Sequence, residues 1–99
     1  MTHLKYDINE GLKSFRNNKR AVLLDVRTQE EYNAKHINGS LNIPIQSLEK
    51  IIFEVENYST PLYVYCHSGT RSARAAKKLR QMGYSNVTDI GGIAGYKES

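Results

Sequence analysis

The segment that most constrains this chain is Cys66-His67-Ser68-Gly69-Thr70-Arg71-Ser72. Residues 61–65 before it are apolar and aromatic after an initial proline, which is typical of a buried strand. Residues 72–79 after it are rich in strong helix formers. The only cysteine of the chain is therefore expected at the carboxyl end of a strand, in a tight loop that leads into a helix. Ligands bind at such positions in open α/β sheets.

The loop is suited to hold a negatively charged sulfur. The first amides of a helix lack intrahelical partners and, with the helix dipole, favour an anion. Gly69 allows the loop to turn successive N–H groups inward, and Arg71 adds a permanent cation. Hydroxyl groups add further polar atoms, at Ser68, Thr70 and Ser72. Because the thiolate is the nucleophile, we predict that Cys66 is a reactive cysteine. The alternative is that it is only a small buried hydrophobic residue.

Length and composition indicate one globular domain. The chain has 99 residues, of which 39% are hydrophobic and 24% charged, so a modest core is expected and disorder is not. A single cysteine excludes an intrachain disulfide and a resolving cysteine. No apolar segment has the length of a signal peptide or a membrane span, so we expect a cytoplasmic protein without a membrane partner.

The net charge of +4 weakly favours small anionic ligands or an acidic partner. Basic residues are spread along the chain without a recognised nucleic-acid motif, so no nucleic-acid partner is expected. The three histidines and one cysteine lack the spacing of metal ligands, so we expect no metal site.

Short apolar runs alternate with helical patterns, which predicts an α/β sheet flanked by helices on both faces. Besides the strand before Cys66, strands are expected at residues 2–6, 21–24, 41–43 and 87–90. Helices are expected at 10–15 after a cap at Asp7 or Asn9, at 45–58 as one amphipathic helix, and after the cysteine loop up to a cap at Gly83.

A second polar group follows the strand at residues 21–24. Asp25 and Arg27 emerge at its carboxyl end, and considered alone they indicate a local turn and ion pair. Thr28 and Glu31 have the spacing of a capping box at the start of a short helix.

Four segments together resemble the single-domain rhodaneses. They are LLDVRTQEEY at 23–32, HINGSLNIP at 36–44, VYCHSGTRS at 64–72 and IGGI at 90–93. The resemblance extends from about residue 21 to residue 96. It implies a five-stranded, mostly parallel sheet between helices and a sulfurtransferase activity in which Cys66 carries a persulfide, with no other cofactor. Family members often have a tryptophan where this chain has Tyr96, and we expect only a packing difference there.

The length of the loop favours sulfur transfer over phosphate hydrolysis. Cys66 and Arg71 are spaced as Cys-x4-Arg, whereas the related cell-cycle dual-specificity phosphatases use Cys-x5-Arg. A phosphoryl group needs a ring of amides wide enough for three equatorial oxygens, and a single added sulfur does not. A phosphatase or arsenate reductase on the same fold, and a non-enzymatic interaction module, stay as alternatives.

The resemblance implies a two-step transfer. Cys66 takes the outer sulfur of thiosulfate or of a low-molecular-weight persulfide, and an acceptor then removes it; the acceptor is cyanide in the test tube, a thiol in a cell, or a sulfur-relay protein. The backbone amides of residues 67–72 are expected to hold the persulfide charge.

Individual roles are expected for five further side chains. Arg71 either contacts the anionic donor or pairs with Glu31, and His67 either recruits an anion or faces solvent. Asp25 and Arg27 are expected to brace the loop from the neighbouring strand end. For His36 we expect a structural hydrogen bond in its turn.

Overall fold

The computed structural model describes residues 7–97, in which strands and helices alternate along the chain. The strands are Val22–Asp25 (β1), Ser40–Asn42 (β2), Leu62–Cys66 (β3) and Val87–Gly92 (β4). The α-helices are Ile8–Arg16 (α1), Gln29–Ala34 (α2), Ile51–Glu54 (α3) and Thr70–Gln81 (α4). Two 3-10 helices are present, Ile45–Lys50 and Ile93–Gly95.

The four strands form one parallel sheet in the order β2-β1-β3-β4. All their carboxyl ends therefore lie at the same edge, where Cys66 ends β3. Residues 7–97 contain four strands rather than the expected five, and the strand predicted at 2–6 lies outside the described residues. The predicted α/β class is confirmed.

Apolar residues cover both faces of the sheet, as the continuous apolar runs predict. On one face, Ile8 and Leu12 of α1 pack in a cluster that includes Tyr63, Tyr65 and Ile90. On the other face, α4, α3 and the first 3-10 helix contribute to a cluster around β1 and β3. Its members include Leu24, Leu48, Ile51, Val64, Ala75 and Leu79. β3 is buried at every position, so it is the central support of the site.

The single amphipathic helix predicted at 45–58 is wrong. A 3-10 helix with a non-helical Ser47 (φ −119°, ψ 25°) leads into α3, which ends before Val55. Because a 3-10 helix has three residues per turn, the apolar positions do not keep one α-helical face. Of the positions Ile45, Leu48, Ile52 and Val55 that the helical spacing predicts to face inward, Leu48 and Val55 are buried, but Ile52 is 41% exposed and its neighbour Ile51 is buried instead.

The predicted caps of α1 and α4 are present. Asp7 rather than Asn9 caps α1, because its Oδ1 accepts a hydrogen bond from the Glu10 N–H at 2.8 Å. Gly83 follows α4 with a left-handed φ of 109°, and its N–H donates to the Arg80 carbonyl at 3.1 Å. In residues 7–97 no helix has the length and apolarity needed to cross a membrane.

Candidate active site

The Cys66 sulfur lies at the base of the loop between β3 and α4. The residue is fully buried, and the Gly69 N–H donates a hydrogen bond to Sγ at 3.0 Å. Gly69 reaches this position with φ 104°, a left-handed conformation that glycine adopts at little cost. It is also the N-cap residue of α4 and offers no side chain to the first amides of the helix. The helix N-terminus is therefore open to an anion beside the sulfur.

Ser72 closes the inner side of the loop. It is fully buried, and the Cys66 thiol donates to its Oγ at 3.5 Å. The Ser72 hydroxyl in turn lies within donating distance of the Gly69 carbonyl (3.1 Å) and the Gly91 carbonyl (3.4 Å). These contacts tie the first turn of α4 to both the loop and the end of β4.

The outer side of the loop is open. His67, Ser68 and Thr70 are exposed, whereas Gly69 and Arg71 are half-buried. His67 and Ser68 line a shallow cleft together with the start of α1 and the end of β4. Of the predicted loop residues, Gly69 and Ser72 contact the sulfur directly, while His67, Ser68, Thr70 and Arg71 form the rest of the loop around it in sequence.

Arg71 forms a two-pronged ion pair with Glu31. Its Nη1 donates to Oε1 at 2.7 Å and its Nη2 to Oε2 at 2.9 Å. The hydrogen bonds from Arg71, assisted by the Thr28 N–H, lower the pKa of Glu31 to about 2. The Glu31 carboxylate likewise raises the pKa of Arg71. Of the two predicted roles of Arg71, the pairing with Glu31 is present, and contact with an anionic donor stays a prediction.

Glu31 has a second function at the start of α2. Its Oε1 accepts hydrogen bonds from the Thr28 N–H at 3.0 Å and the Thr28 hydroxyl at 3.1 Å, while its own N–H donates to the Thr28 hydroxyl. The predicted capping box is therefore confirmed. Because Glu31 also holds Arg71, the box connects the N-terminus of α2 to the N-terminus of α4.

Asp25 and Arg27 are buried, and Arg27 lies over the ring of Tyr65, the residue before Cys66, but within residues 7–97 their side-chain hydrogen bonds do not brace the cysteine loop directly as expected. The Arg27 Nε lies 3.1 Å from each carboxylate oxygen of Asp25, and Nη2 donates to Oδ2 at 2.8 Å. Nη2 also donates to the Lys35 carbonyl at 2.6 Å. Among the described residues, their side-chain hydrogen bonds connect β1 to the segment after α2 and not to residues 66–72. The reason is that Arg27 folds back over the residue two positions before it.

His36 has the structural role predicted for it. Its Nδ1 donates to the Tyr32 carbonyl at 2.8 Å, and its ring stacks on the Tyr32 ring at a centroid distance of 3.8 Å. The Tyr32 hydroxyl donates to the Ser40 carbonyl at 2.6 Å. His36 therefore helps to fix the turn before β2.

Sequence reasoning missed the part that the end of β4 plays in holding the loop. The Ala94 N–H donates to the His67 carbonyl at 3.0 Å, and a Cβ on Gly92 would lie 2.2 Å from that oxygen. A bulge precedes this contact, because Val64 pairs with Asp89 and Tyr65 with Gly91. The glycine pair Gly91-Gly92 at the end of the predicted strand is the one sequence signal of a close backbone approach there.

Tyr96 is half-buried and packs against the cluster that contains Tyr63 and Tyr65. Within residues 7–97, no group of three or more His, Cys, Asp or Glu side chains has the arrangement of a metal site.

The chain is similar to characterised proteins over most of its length. The Rhodanese-like domain profile matches residues 9–99. Thiosulfate sulfurtransferase PspE of Escherichia coli K12 is 37% identical over 71 residues, which cover 71% of this chain and 68% of PspE. Putative sulfur carrier protein YrkF of Bacillus subtilis is 40% identical over 68 residues, but these cover 69% of this chain and only 36% of YrkF.

Solved structures agree with these sequence matches. The human single-domain sulfurtransferase TSTD1 superposes with a TM-score of 0.74 at 31% identity, covering 89% of this chain and 92% of TSTD1. A rhodanese from E. coli, solved with anions, gives a TM-score of 0.74 at 32% identity and covers 80% of this chain and 94% of that one. The chain therefore belongs to the rhodanese-like family and is a rhodanese-type transferase.

Proposed function

We propose that this protein moves a sulfane sulfur from an anionic donor such as thiosulfate to a nucleophilic acceptor through a persulfide on Cys66. The observation that carries the proposal is the position of Sγ, which receives the Gly69 N–H at 3.0 Å beside the uncapped N-terminus of α4. This arrangement stabilises negative charge on the sulfur and on an atom added to it. The similarity to PspE, a thiosulfate sulfurtransferase, supports thiosulfate as the first donor to test.

The transfer has two balanced steps. The Cys66 thiolate attacks the outer sulfur of thiosulfate, a sulfur–sulfur bond forms to Cys66, and the bond to the sulfonate sulfur breaks as sulfite leaves with the electron pair. An acceptor thiolate or cyanide then attacks the outer sulfur of the persulfide. This second attack releases the acceptor persulfide or thiocyanate and restores the Cys66 thiolate.

The contacts of Arg71 favour this reaction over phosphate hydrolysis. Both carboxylate oxygens of Glu31 accept hydrogen bonds from the guanidinium, which partly neutralises its charge. Phosphoryl transfer needs positive groups on the equatorial oxygens of the phosphoryl group, and a cation already paired with a carboxylate supplies less of that charge. In the proposed reaction Arg71 holds the loop in shape, and the backbone amides of residues 67–72 stabilise the charge.

The proposed reaction needs no cofactor, because the persulfide is covalent. A free thiol suits a reducing compartment such as the cytoplasm, which is the proposed location. The similarity to the putative sulfur carrier YrkF suggests a sulfur-relay context, so the acceptor in a cell is proposed to be a small thiol or a protein of such a relay.

The test is the intact mass of the protein after incubation with thiosulfate, before and after addition of a reducing thiol. We expect a gain of one sulfur atom that the thiol reverses. Cys66→Ser and Cys66→Ala should both lack the gain while keeping the wild-type circular dichroism spectrum. No gain with either thiosulfate or a low-molecular-weight persulfide would contradict the proposal, and hydrolysis of a phosphate ester that depends on Cys66 would replace it.

A further inference from the structure

We propose that a basic groove between α4 and the first 3-10 helix binds an acidic segment of the protein that exchanges sulfur with Cys66. The basic groove is lined by Ile45, Gln46, Arg71, Arg74 and Lys78. The exchange of sulfur rests on the function proposed above, whereas binding of the acidic segment can be measured without it.

The composition of α4 is unusual for a solvent-exposed helix. The twelve residues Thr70–Gln81 contain no acidic side chain. Their five basic residues are Arg71, Arg74, Lys77, Lys78 and Arg80. The cations at 71, 74 and 78 are three and four residues apart, so they lie along one side of the helix. This side faces the first 3-10 helix and forms the groove.

The positive charge of the basic groove is only partly neutralised by the protein. Glu31 occupies Arg71, and Glu49 approaches Lys78 at 3.8 Å, with both side chains of that second pair largely exposed. Arg74 is exposed and forms no ion pair with any of residues 7–97. The groove therefore offers a ligand with carboxylates one guanidinium that has no ion pair within residues 7–97 and one loosely paired ammonium.

The length of the basic groove points to a polypeptide rather than to a small donor. Arg71 belongs to the cysteine loop, and Lys78 lies about 10 Å farther along the helix at 1.5 Å per residue. A small dianion such as thiosulfate cannot extend from the sulfur to Lys78. A chain with carboxylates about one helical turn apart can contact Arg74 and Lys78 while its own thiol or persulfide reaches the loop.

The neutral residues of the basic groove favour a protein over a nucleic acid. Ile45 supplies an apolar contact and Gln46 an amide that can both donate to and accept from a peptide backbone. Glu49 stands at the far end next to Lys78, so the run of cations is short and does not continue as the track that a nucleic-acid backbone follows. An acidic peptide with a few apolar side chains fits this mixture better than RNA does.

The first test measures binding by fluorescence anisotropy. The probe is a labelled, cysteine-free peptide, Glu-Ile-Glu-Gly-Asp-Ile-Glu-Gly, and its analogue with Gln and Asn in place of the acids is the neutral control. At low salt we expect the acidic peptide to bind at least about tenfold more tightly than the neutral one, with the difference shrinking as salt is raised. Equal affinities for the two peptides, or no binding of either, would overturn the proposal.

Matched variants separate the basic groove from net charge. Arg74→Glu/Lys78→Glu should weaken binding of the acidic peptide at least about tenfold. Lys77→Glu/Lys19→Glu changes the net charge by the same amount at exposed positions outside the groove, and it should weaken binding less than about threefold. Equal losses in the two variants would show that only net charge matters. Binding of an RNA hairpin through Arg74 and Lys78, without binding of the acidic peptide, would assign the groove to RNA.

The second test uses the same two peptides with a cysteine added at one end as acceptors for persulfide-loaded protein. The wild type should transfer sulfur faster to the acidic peptide than to the neutral one, and the ratio of the two rates should fall to about one in Arg74→Glu/Lys78→Glu. A ratio that is unchanged in this variant would contradict the proposed role. Because the binding test uses unloaded protein and cysteine-free peptide, failure to form the persulfide would leave that test intact.

Discussion

Two neighbouring strands end at the same edge of the sheet, and the polar groups that follow them differ in how completely they are hydrogen-bonded. β1 and β3 pair with Asp25 opposite Tyr65, so Asp25 and Cys66 lie near each other in the sheet. After β1, Asp25 and Arg27 bind each other and the Lys35 carbonyl, and both are buried. After β3, the Cys66 sulfur receives the Gly69 N–H beside helix amides that no side chain caps.

The two strand ends are therefore suited to different purposes: the ion pair at the end of β1 to stability, and the loop at the end of β3 to binding a negative charge. Charged groups that satisfy each other in a buried pair have no remaining capacity for a ligand, and their main effect is on stability. A sulfur at an uncapped helix N-terminus has donors available for charge that appears during a reaction. The same sheet edge therefore holds, side by side, a buried ion pair and a loop whose helix amides no side chain caps.

The largest expected effect on stability comes from breaking the buried ion pair between Asp25 and Arg27. Arg27→Ala would leave the carboxylate of Asp25 buried without its main partner, and we expect the free energy of unfolding to fall by about 3–5 kcal/mol. Urea denaturation followed by circular dichroism measures this loss. The double variant Asp25→Leu/Arg27→Met removes both charges and should lose less than Arg27→Ala. A single variant as stable as the wild type would contradict the structural role of the pair.

The second prediction concerns the close approach of Gly92 to the His67 carbonyl in the cysteine loop. Gly92→Ala places a methyl group 2.2 Å from the His67 carbonyl, so the loop has to move. We expect a loss of about 1–3 kcal/mol in the free energy of unfolding from overpacking. Persulfide formation should slow at least about tenfold because the loop amides are displaced from Sγ.

Gly95→Ala is the matched control for this prediction. Gly95 ends the 3-10 helix Ile93–Gly95, which directly follows Gly92. Its added methyl group would have only an ordinary contact at 3.8 Å with Ile8. Its rate of persulfide formation, measured by mass spectrometry against time, should stay within about twofold of the wild type. Equal effects of the two substitutions would show that backbone freedom, rather than the contact with His67, explains the glycine at 92.

The comparison of the two strand ends also shows how far the sequence predicts this structure. The β3–loop–α4 unit follows from local signals, because the apolar run, Gly69 and the helix formers each favour the element that they form. The capping box of Thr28 and Glu31 is equally local and is found as predicted. In contrast, the single helix expected at 45–58 fails because Ser47 leaves helical geometry and the apolar spacing fits more than one helix type.

Contacts between distant segments could not be predicted in the same way. The bond from Ala94 to His67 depends on a bulge in β4, and no local signal places the bulge between Asp89 and Gly91. Whether Arg71 reaches Glu31 depends on the distance between α4 and α2, which are separate segments of the chain. The direction of Arg27 depends on the path of residues 27–37. Local sequence signals place Cys66 at the loop before α4, while the packing of separate segments decides which groups support that loop.

A third, smaller effect is expected from the ion pair between Glu31 and Arg71, which braces the cysteine loop. Glu31→Gln removes the ion pair with Arg71 and weakens the capping box of α2. Because both side chains of the pair are about one-third exposed, we expect a loss of only about 1 kcal/mol in the free energy of unfolding. Glu30→Gln is the control, since Glu30 is exposed in the same helical turn. If the two variants were equally stable, the pair would contribute nothing measurable.

The smallest effect is the dependence of this brace on pH. The pKa of Glu31 is lowered from 4.5 to about 2 in the folded protein by its hydrogen bonds with Arg71, so the folded state binds fewer protons than the unfolded state between these values. The contribution of Glu31 to stability is therefore complete above about pH 5 and is lost as the pH falls toward 2. The difference in unfolding free energy between wild type and Glu31→Gln, measured by urea titration at pH 7, 4 and 2.5, should shrink in that order. A constant difference across this range would mean that the carboxylate acts through its neutral hydrogen bonds and not through its charge, and the brace of the cysteine loop would then resemble an ordinary cap.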